Sequence, residues 1–199
     1  MQQFIKDVRE FYKPYYDKND KAHSIFHADD VCNLALKMNK GRYDEKLIIL
    51  SAYIHDIFNY LDRARHNELA YEYVLEAKDR FLKELDNNEL KLVAYAVLEH
   101  RAKFKGEFYS KLSEIISSAD RGEPNIELIV IRSMHFNSGD AKSVVSHIKR
   151  KYSKDGYAKF PKIYKDYFKD EVNRLQESAQ NLTKEQVLKI WSSRKLTSN

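Results

Sequence analysis

Apolar residues recur along most of the chain with the period of an α-helix. A stripe of them over residues 2–13 predicts the first helix, and Pro14 is expected to end it because proline lacks a backbone N–H. The segment "IELIVIRSMHF" at 126–136 fits a buried helix or a strand, and its helical neighbours favour the helix. Polar breaks separate the remaining stretches, which predict helices over about 25–39, 44–60, 66–84, 88–102, 109–120, 140–152, 161–178 and 183–195.

The helix predicted over 44–60 is apolar over most of its surface, which is typical of a buried, central helix. His55 and Asp56 lie side by side within it, in the stretch "SAYIHDIFNY". Burying either group without a partner would cost several kcal/mol. The pair is therefore expected to be hydrogen-bonded, exposed at a helix end, or bound to a ligand.

The composition supports an all-α fold. Only five Gly and three Pro occur in 199 residues, so the chain is poor in turn-forming residues. A hydrophobic content of 43% and a charged content of 33% suit one globular domain with a core of its own. We therefore predict an all-α, single-domain helical bundle with about nine or ten helices.

Cysteine usage, apolar runs and charge narrow the class of protein. The single Cys32 can form neither an internal disulfide nor a multi-cysteine zinc site, so we expect a small apolar residue on a helix, as suits a reducing cytoplasm. No apolar run approaches the length that spans a bilayer, and the first residues lack the pattern of a signal peptide. A cytoplasmic protein without a membrane segment is expected. The net charge of +5 is a modest bias toward anionic partners.

Two further ionisable residues stand where helices are predicted to begin or end. His27 opens the second helix and Asp120 closes the helix over 109–120, each beside an apolar run. A His-Asp pair alone occurs often by chance, but His55 and Asp56 together with these two could hold one divalent ion. Neighbouring helical residues diverge by about 100°, yet both can reach an ion that lies between their two directions. Two imidazoles and two carboxylates would neutralise a divalent ion and suit Mn, Fe, Co, Ni, Zn or Mg.

These residues stand in segments that resemble a known family. "HADDVCNLAL", "LSAYIHDI" and "IISSADR" resemble the segments that carry the metal ligands of the HD-domain superfamily of metal-dependent phosphohydrolases. "RARHNELAYEYV" and "VLEHRAK" are similar to segments that carry further histidines in many members. The resemblance covers about residues 20–125 as the metal-site core and leaves 126–199 as a C-terminal helical extension.

The resemblance implies roles for individual residues. His27, His55, Asp56 and Asp120 become the metal ligands, and His66 and His100 either bind a second ion or face the substrate phosphate. We expect one ion, with His66 and His100 facing the substrate, because the segments do not supply two complete ligand sets.

One departure from the family concerns the group that prepares the attacking water. Some nucleotidases of the superfamily carry a Glu a few residues after the His-Asp pair, whereas this chain reads "FNYLDRAR" there. Asn59 could act by hydrogen bonding and Asp62 as a base, or Asp56 itself could serve. Arg101, beside His100, is the leading arginine for substrate binding.

The expected function is hydrolysis of a small phosphorylated metabolite, with a nucleotide the best candidate, by water that one divalent ion activates. The alternative is an HD-fold module that binds nucleic acid or protein without turnover. The stretch "KRKYSKDGYAKFPKIYKDYFKD" could contact RNA, although amphipathic helices with inward aromatics explain it better. A third interpretation makes "GYAKFP" a lip over the pocket, with Lys159 binding the phosphate.

Overall fold

The computed structural model describes residues 1–136, 139–153 and 156–195. These residues contain eleven α-helices, two short 3₁₀ helices and no strand, which confirms the all-α prediction. The first six helices are α1 (Gln2–Tyr16), α2 (Ile25–Asn39), α3 (Glu45–Ile54), α4 (His66–Leu75), α5 (Asn87–Glu99) and α6 (Lys111–Asp120). The other five are α7 (Ile126–Phe136), α8 (Ala141–Tyr152), α9 (Lys162–Phe168), α10 (Asp170–Asn181) and α11 (Lys184–Lys195).

The chain forms two compact units. The first unit comprises Met1–Gly122 and Pro161–Tyr167, and so contains α1 to α6 and most of α9. The second unit is built from α7, α8, α10 and α11, in the described residues of Glu123–Phe160 and Phe168–Asn199. The single-domain organisation expected from the sequence stays a prediction.

Helix α3 is the central element of the first unit. Every residue from Leu47 to Ile54 is buried, as the apolar pattern predicted. The helix packs against α1, α2, α5 and α6, and α4 packs against α5. Cys32 is buried on α2, in agreement with its predicted apolar role.

The prediction for 44–60 was wrong at its C-terminal end. Helix α3 ends at Ile54, and residues 55–61 form successive turns in which Asn59 N–H donates to the Asp56 carbonyl at 3.1 Å. The Asp56 carbonyl also accepts from Asn19 Nδ2 at 3.1 Å, and Asp56 N–H donates to the Tyr16 hydroxyl. These contacts from the end of α1 replace helical hydrogen bonds. Apolar periodicity cannot report them because the residues in the turns remain buried.

Other helix boundaries also differ from the predictions. The helix predicted over 66–84 ends at Leu75, where Ala77 follows with a φ of 45°. The helix predicted over 161–178 is interrupted at Lys169, whose φ is 43°, and this break gives eleven helices in the described residues instead of nine or ten. The first helix continues through Pro14 to Tyr16, since a proline in the last turn removes only one helical hydrogen bond.

The second unit has an apolar core of its own. The segment over 126–136 is helical, as favoured from the sequence, and it packs against α8, α10 and α11. In the basic and aromatic stretch, the rings of Tyr152 and Phe160 are buried with their centroids 6.0 Å apart. Inward-facing aromatics therefore account for at least this part of the stretch. In the described parts of the chain, no helix combines the length and the apolar character needed to span a bilayer.

Candidate metal centre

Six ionisable side chains of the first unit converge on one buried place, and each lies at a helix end. A side chain at a helix end can extend past its own helix toward the ends of the neighbouring helices, so helix ends allow such convergence. The six residues are His27 in the first turn of α2, His55 and Asp56 directly after α3, His66 at the start of α4, His100 directly after α5, and Asp120 as the last residue of α6.

The four residues predicted to bind one ion form the first group. His27 Nε2 lies 3.0 Å from Asp120 Oδ1 and 3.4 Å from His55 Nε2. Asp56 Oδ2 lies 3.3 Å from His55 Nε2 and 3.8 Å from His27 Nε2. The structure thus brings together all four side chains that the sequence identified, although they come from three separate segments of the chain.

A second group uses the other oxygen of the same carboxylate. Asp56 Oδ1 lies 3.1 Å from His66 Nε2 and 3.7 Å from His100 Nε2. The two imidazole nitrogens are 3.1 Å apart. The sequence analysis named His66 and His100 and favoured a substrate-facing role for them, because it did not anticipate that Asp56 could belong to both groups. Here Asp56 stands between the two groups and turns one oxygen toward each.

The orientation of the imidazoles is fixed by the backbone. Nδ1 contacts a carbonyl oxygen in three of them: His55 to Ala52 at 2.7 Å, His66 to Arg63 at 3.0 Å, and His100 to Val97 at 2.7 Å. A carbonyl can only accept, so Nδ1 carries a proton and each of these rings turns Nε2 into the cluster. Nε2 lone pairs and carboxylate oxygens that face one another at these distances repel unless a proton or a metal ion lies between them.

The donor set fits a divalent metal ion. Ligand bonds of about 2.0–2.2 Å place neighbouring ligand atoms about 2.8–3.6 Å apart, close to the separations found in both groups. His55 is 0% exposed and Asp56 is 3% exposed, so water does not compensate their charges. The side chain of Asp120 is 22% exposed, so solvent reaches the cluster at this ligand. Backbone carbonyls that orient ligand imidazoles are typical of metal sites in proteins.

The electrostatics of the cluster favour cation binding. Burial would raise the pKa values of Asp56 and Asp120, but the surrounding imidazoles hold both well below the usual range. Burial would lower the pKa of His55, yet Asp56 and Asp120 raise it to about 9. Burial and the two neighbouring imidazoles, His55 and His66, lower the pKa of His100 to about 3. Protons and a metal ion would therefore compete for this place.

Tyr16 and Asn19, which the sequence analysis did not single out, form hydrogen bonds with the backbone of Asp56. Asn19 Nδ2 donates to the Asp56 carbonyl and to the His23 carbonyl, both at 3.1 Å. The Tyr16 hydroxyl accepts from Asp56 N–H and donates to the Tyr53 carbonyl at 3.2 Å. The end of α1 thereby fixes the backbone of the shared carboxylate. No sequence signal distinguished these residues from other helix-end polar groups.

Arg101 lies next to His100 in the chain and forms hydrogen bonds with the segment around His66. Its guanidinium donates to the Ala64 carbonyl and, at 3.3 Å, to Asn67 Oδ1. Asn67 Nδ2 donates in turn to the Leu98 carbonyl at 2.8 Å. These bonds join the turn before His66 to the end of α5. The substrate-binding role assigned to Arg101 stays a prediction.

The other predicted site residues lie in different surroundings. Asn59 is buried three residues after Asp56. Asp62 Oδ1 accepts from the N–H groups of Ala64 at 2.8 Å and Arg65 at 3.2 Å, so it shapes the turn before α4. Lys159 belongs to the second unit. The catalytic roles of Asn59 and Asp62, and substrate binding by Lys159, stay predictions.

The fold and the cluster together define a class: an all-helical protein in which helix ends gather four imidazoles and two carboxylates. The family model of the HD domain matches residues 21–134, which is more than half of the chain, and the chain therefore belongs to the HD domain family. Members of this family are generally metal-dependent hydrolases. No curated protein and no solved structure gave a significant match.

Proposed function

We propose that this chain is a metal-dependent phosphohydrolase of the cytoplasm that acts on a small phosphorylated metabolite, with a nucleotide the best candidate. The observation that carries the proposal is the position of Asp56, whose two oxygens face two groups of inward-turned imidazole nitrogens. A buried cluster of this kind adds little stability by itself, because the cost of desolvating its charges offsets their attraction, so stability of the fold alone does not explain it. Family membership supports the same reaction class.

The proposed ligands of the first ion are His27, His55, Asp56 and Asp120. A divalent ion bound there supplies a Lewis acid that polarises a phosphoryl oxygen and acidifies water. The donor set suits Mn, Fe, Co, Ni, Zn or Mg. The sequence led to an expectation of one ion, and the distances around Asp56 Oδ1 support a second one held by His66 and His100.

The protein groups position the substrate and handle protons. Asp56 is a candidate to take the proton of the attacking water, because its carboxylate borders the place where an ion would hold that water. Buried Asn59 is the candidate to orient that water, whereas Asp62 is the weaker candidate because its Oδ1 is occupied by backbone N–H groups. Solvent reaches the cluster at Asp120, so the phosphate is proposed to enter on that side.

The alternative function is an HD-fold module that binds nucleic acid or protein without turnover. Such a module has no need for six converging ligand groups. The burial of Tyr152 and Phe160 also leaves these rings unable to stack on bases. The structural observations therefore favour the enzyme.

Phosphate release should depend on added metal. We expect the chain, after dialysis against a chelator, to release phosphate from at least one nucleotide in a screen of mono-, di- and triphosphates only when Mn or another divalent ion is restored. The expected gain is about 100-fold or more, because the ion supplies several kcal/mol to the transition state. Metal binding without release from any substrate, together with salt-sensitive RNA binding, would favour the binding module.

Metal stoichiometry tests the second group. We expect calorimetric titration of chelator-treated protein to give two equivalents, and the substitution His100→Ala to leave one, because only the second group loses a ligand. His147→Ala, in the second unit, is the control and should retain both. A single equivalent in the unsubstituted chain would instead support the one-ion expectation, with His66 and His100 facing the substrate.

A further inference from the structure

Tyr53 brings a hydroxyl group into the buried surface of α3. The residue is 1% exposed, and its hydroxyl lies 2.7 Å from Asp29 Oδ1 on α2. A carboxylate can only accept, so Tyr53 donates this hydrogen bond. Phenylalanine would fill the same space without needing a partner, so the hydroxyl adds a directional contact between the two helices. Buried polar contacts of this kind favour one packing arrangement over others.

The Tyr53–Asp29 bond lies close to a contact between two of the proposed metal ligands. Asp29 follows His27 by two residues on α2. Tyr53 precedes His55 by two residues at the end of α3. His27 Nε2 and His55 Nε2 lie 3.4 Å apart. The same two segments therefore meet at two neighbouring places, once through a hydrogen bond and once through a pair of ligand nitrogens.

Arg9 of α1 holds the same part of α2. Its Nε lies 2.9 Å from Oδ1 and 3.0 Å from Oδ2 of Asp29. Its guanidinium carbon also lies 5.8 Å from the centre of the Phe26 ring, one residue before His27. Contacts with α1 and α3 thus hold α2 on both sides of His27 in the chain. The position of this ligand depends on them because its backbone is part of the same helical turn.

The backbone of Tyr53 is linked to the other side of the first ligand group. Its carbonyl accepts from the Tyr16 hydroxyl at 3.2 Å, and that hydroxyl accepts from Asp56 N–H. Tyr53 consequently reaches the helix of His27 through its side chain and the peptide of Asp56 through its carbonyl. The second ligand group takes its imidazoles from the start of α4 and the end of α5 instead.

We propose that the Tyr53–Asp29 hydrogen bond positions His27 in the first ligand group and thereby sets the affinity of that group for a divalent ion. The proposal rests on the metal centre of the proposed function and adds a positioning residue that acts through a ligand. Loss of a partner that orients a metal ligand typically weakens metal binding by about 10- to 100-fold. Tyr53 acts one contact further from the ion, so we expect the lower end of this range.

Two backgrounds separate the two ligand groups. The substitution His100→Ala is expected to leave only the first group able to bind an ion, and Asp120→Asn only the second. Adding Tyr53→Phe to His100→Ala should weaken the binding of Mn or Co, measured by calorimetry, by about 10-fold. Adding it to Asp120→Asn should leave the affinity unchanged. The visible absorption of Co bound in the His100→Ala background should also change, because it reports the geometry of the ligands.

Tyr12→Phe is the matched control. It also removes a buried hydroxyl that donates to a carboxylate, that of Asp79, at 2.6 Å. It should lower the stability to a similar extent and leave both the metal affinity and the Co spectrum unchanged. Asp29→Asn keeps an oxygen that can accept from Tyr53 and should retain more affinity than Asp29→Ala. In Asp29→Ala, adding Tyr53→Phe should weaken metal binding no further, because the bond between them is already lost.

The outcomes are distinct for the two proposals. If the unsubstituted chain binds metal but hydrolyses no substrate, the proposed function fails and the metal affinities of the variants still test the positioning role. Unchanged affinity of the first group in Tyr53→Phe would overturn that role. An equal loss in Tyr12→Phe, or an equal loss in the Asp120→Asn background, would also overturn it by showing a general effect of stability.

Two further cases keep the test decisive. If the chain binds a single ion in the first group, the comparison of Tyr53→Phe with Tyr12→Phe decides alone. If Tyr53→Phe does not fold, Asp29→Ala replaces it, at a side chain that is 23% exposed. A chain that binds no divalent ion would overturn both proposals.

Discussion

Replacing Asp56 by asparagine is expected to abolish phosphate release and to remove most of the bound metal. The change keeps the shape of the side chain but removes the charge that both ligand groups share. An amide oxygen is a weaker ligand than a carboxylate, and its NH₂ group would face either His55 or His66, where a donor displaces an ion. We expect kcat/KM to fall by about 1,000-fold or more, the scale of losing a metal that activates the reaction.

The metal content and the thermal stability of the Asp56→Asn variant measure its loss of metal binding independently of activity. A ligand that binds only the folded chain at 100 times its Kd adds about 2.7 kcal/mol of stability. Adding Mn should therefore raise the melting temperature of the unsubstituted chain, and Asp56→Asn should show little or no rise. Asp17→Asn, which affects only the surface ion pair with Lys13, is the control and should behave as the unsubstituted chain does.

Retained phosphate release in Asp56→Asn would contradict the assignment of Asp56 as a shared ligand. Circular dichroism should show a helical content close to that of the unsubstituted chain, because the backbone of Asp56 keeps its bonds to Tyr16 and Asn19. A variant that fails to fold can be replaced by Asp120→Asn, at the partly exposed edge of the first group. That variant should lose the first ion and retain the second.

The four proposed ligand residues could be singled out from the sequence because each combines a type of chemistry with a position. His27, His55, Asp56 and Asp120 are ionisable groups beside apolar runs, in segments that resemble one family, and burial of such groups requires a partner. The helices themselves follow from periodicity, since each must bury one stripe of its surface. Both arguments use the sequence alone, and the structure places all four side chains close together.

The remainder of the site depends on tertiary contacts that a linear pattern does not contain. Helix α3 ends at Ile54 because Tyr16 and Asn19 take over the hydrogen bonds of Asp56. The second group forms because Asp56 turns one oxygen toward each group, and the spacing of these residues along the chain does not reveal that arrangement.

A second buried carboxylate, Asp79, shows the contrast between structural and functional use of the same residue type. Its Oδ2 accepts from the hydroxyls of Tyr12 at 2.6 Å and Tyr73 at 2.8 Å. Its Oδ1 accepts from the N–H groups of Phe81 at 2.9 Å and Leu82 at 3.0 Å. Four donors satisfy this carboxylate without a cation, and they join α1, α4 and the start of the 3₁₀ helix Leu82–Glu84. Asp79 should therefore matter for stability and leave metal binding unaffected.

Asp79→Ala is expected to destabilise the first unit by about 3–5 kcal/mol, because four donors lose their acceptor and two of them are the buried hydroxyls of Tyr12 and Tyr73. Urea unfolding followed by circular dichroism measures the loss. Asp79→Asn keeps one acceptor oxygen and should lose less. Tyr12→Phe and Tyr73→Phe, each losing about 1–2 kcal/mol, complete a double-mutant cycle with Asp79→Asn.

The metal content of the folded fraction separates the two carboxylates. At a temperature where Asp79→Ala is still folded, it should bind as much metal as the unsubstituted chain, while Asp56→Asn should not. An Asp79→Ala variant of unchanged stability would show that the four hydrogen bonds contribute no net free energy. Selective loss of metal without loss of stability would place Asp79 in the site. The expected opposite behaviour follows from one physical difference: four hydrogen-bond donors that cannot bind a metal surround Asp79, whereas imidazole nitrogens that can bind one surround Asp56.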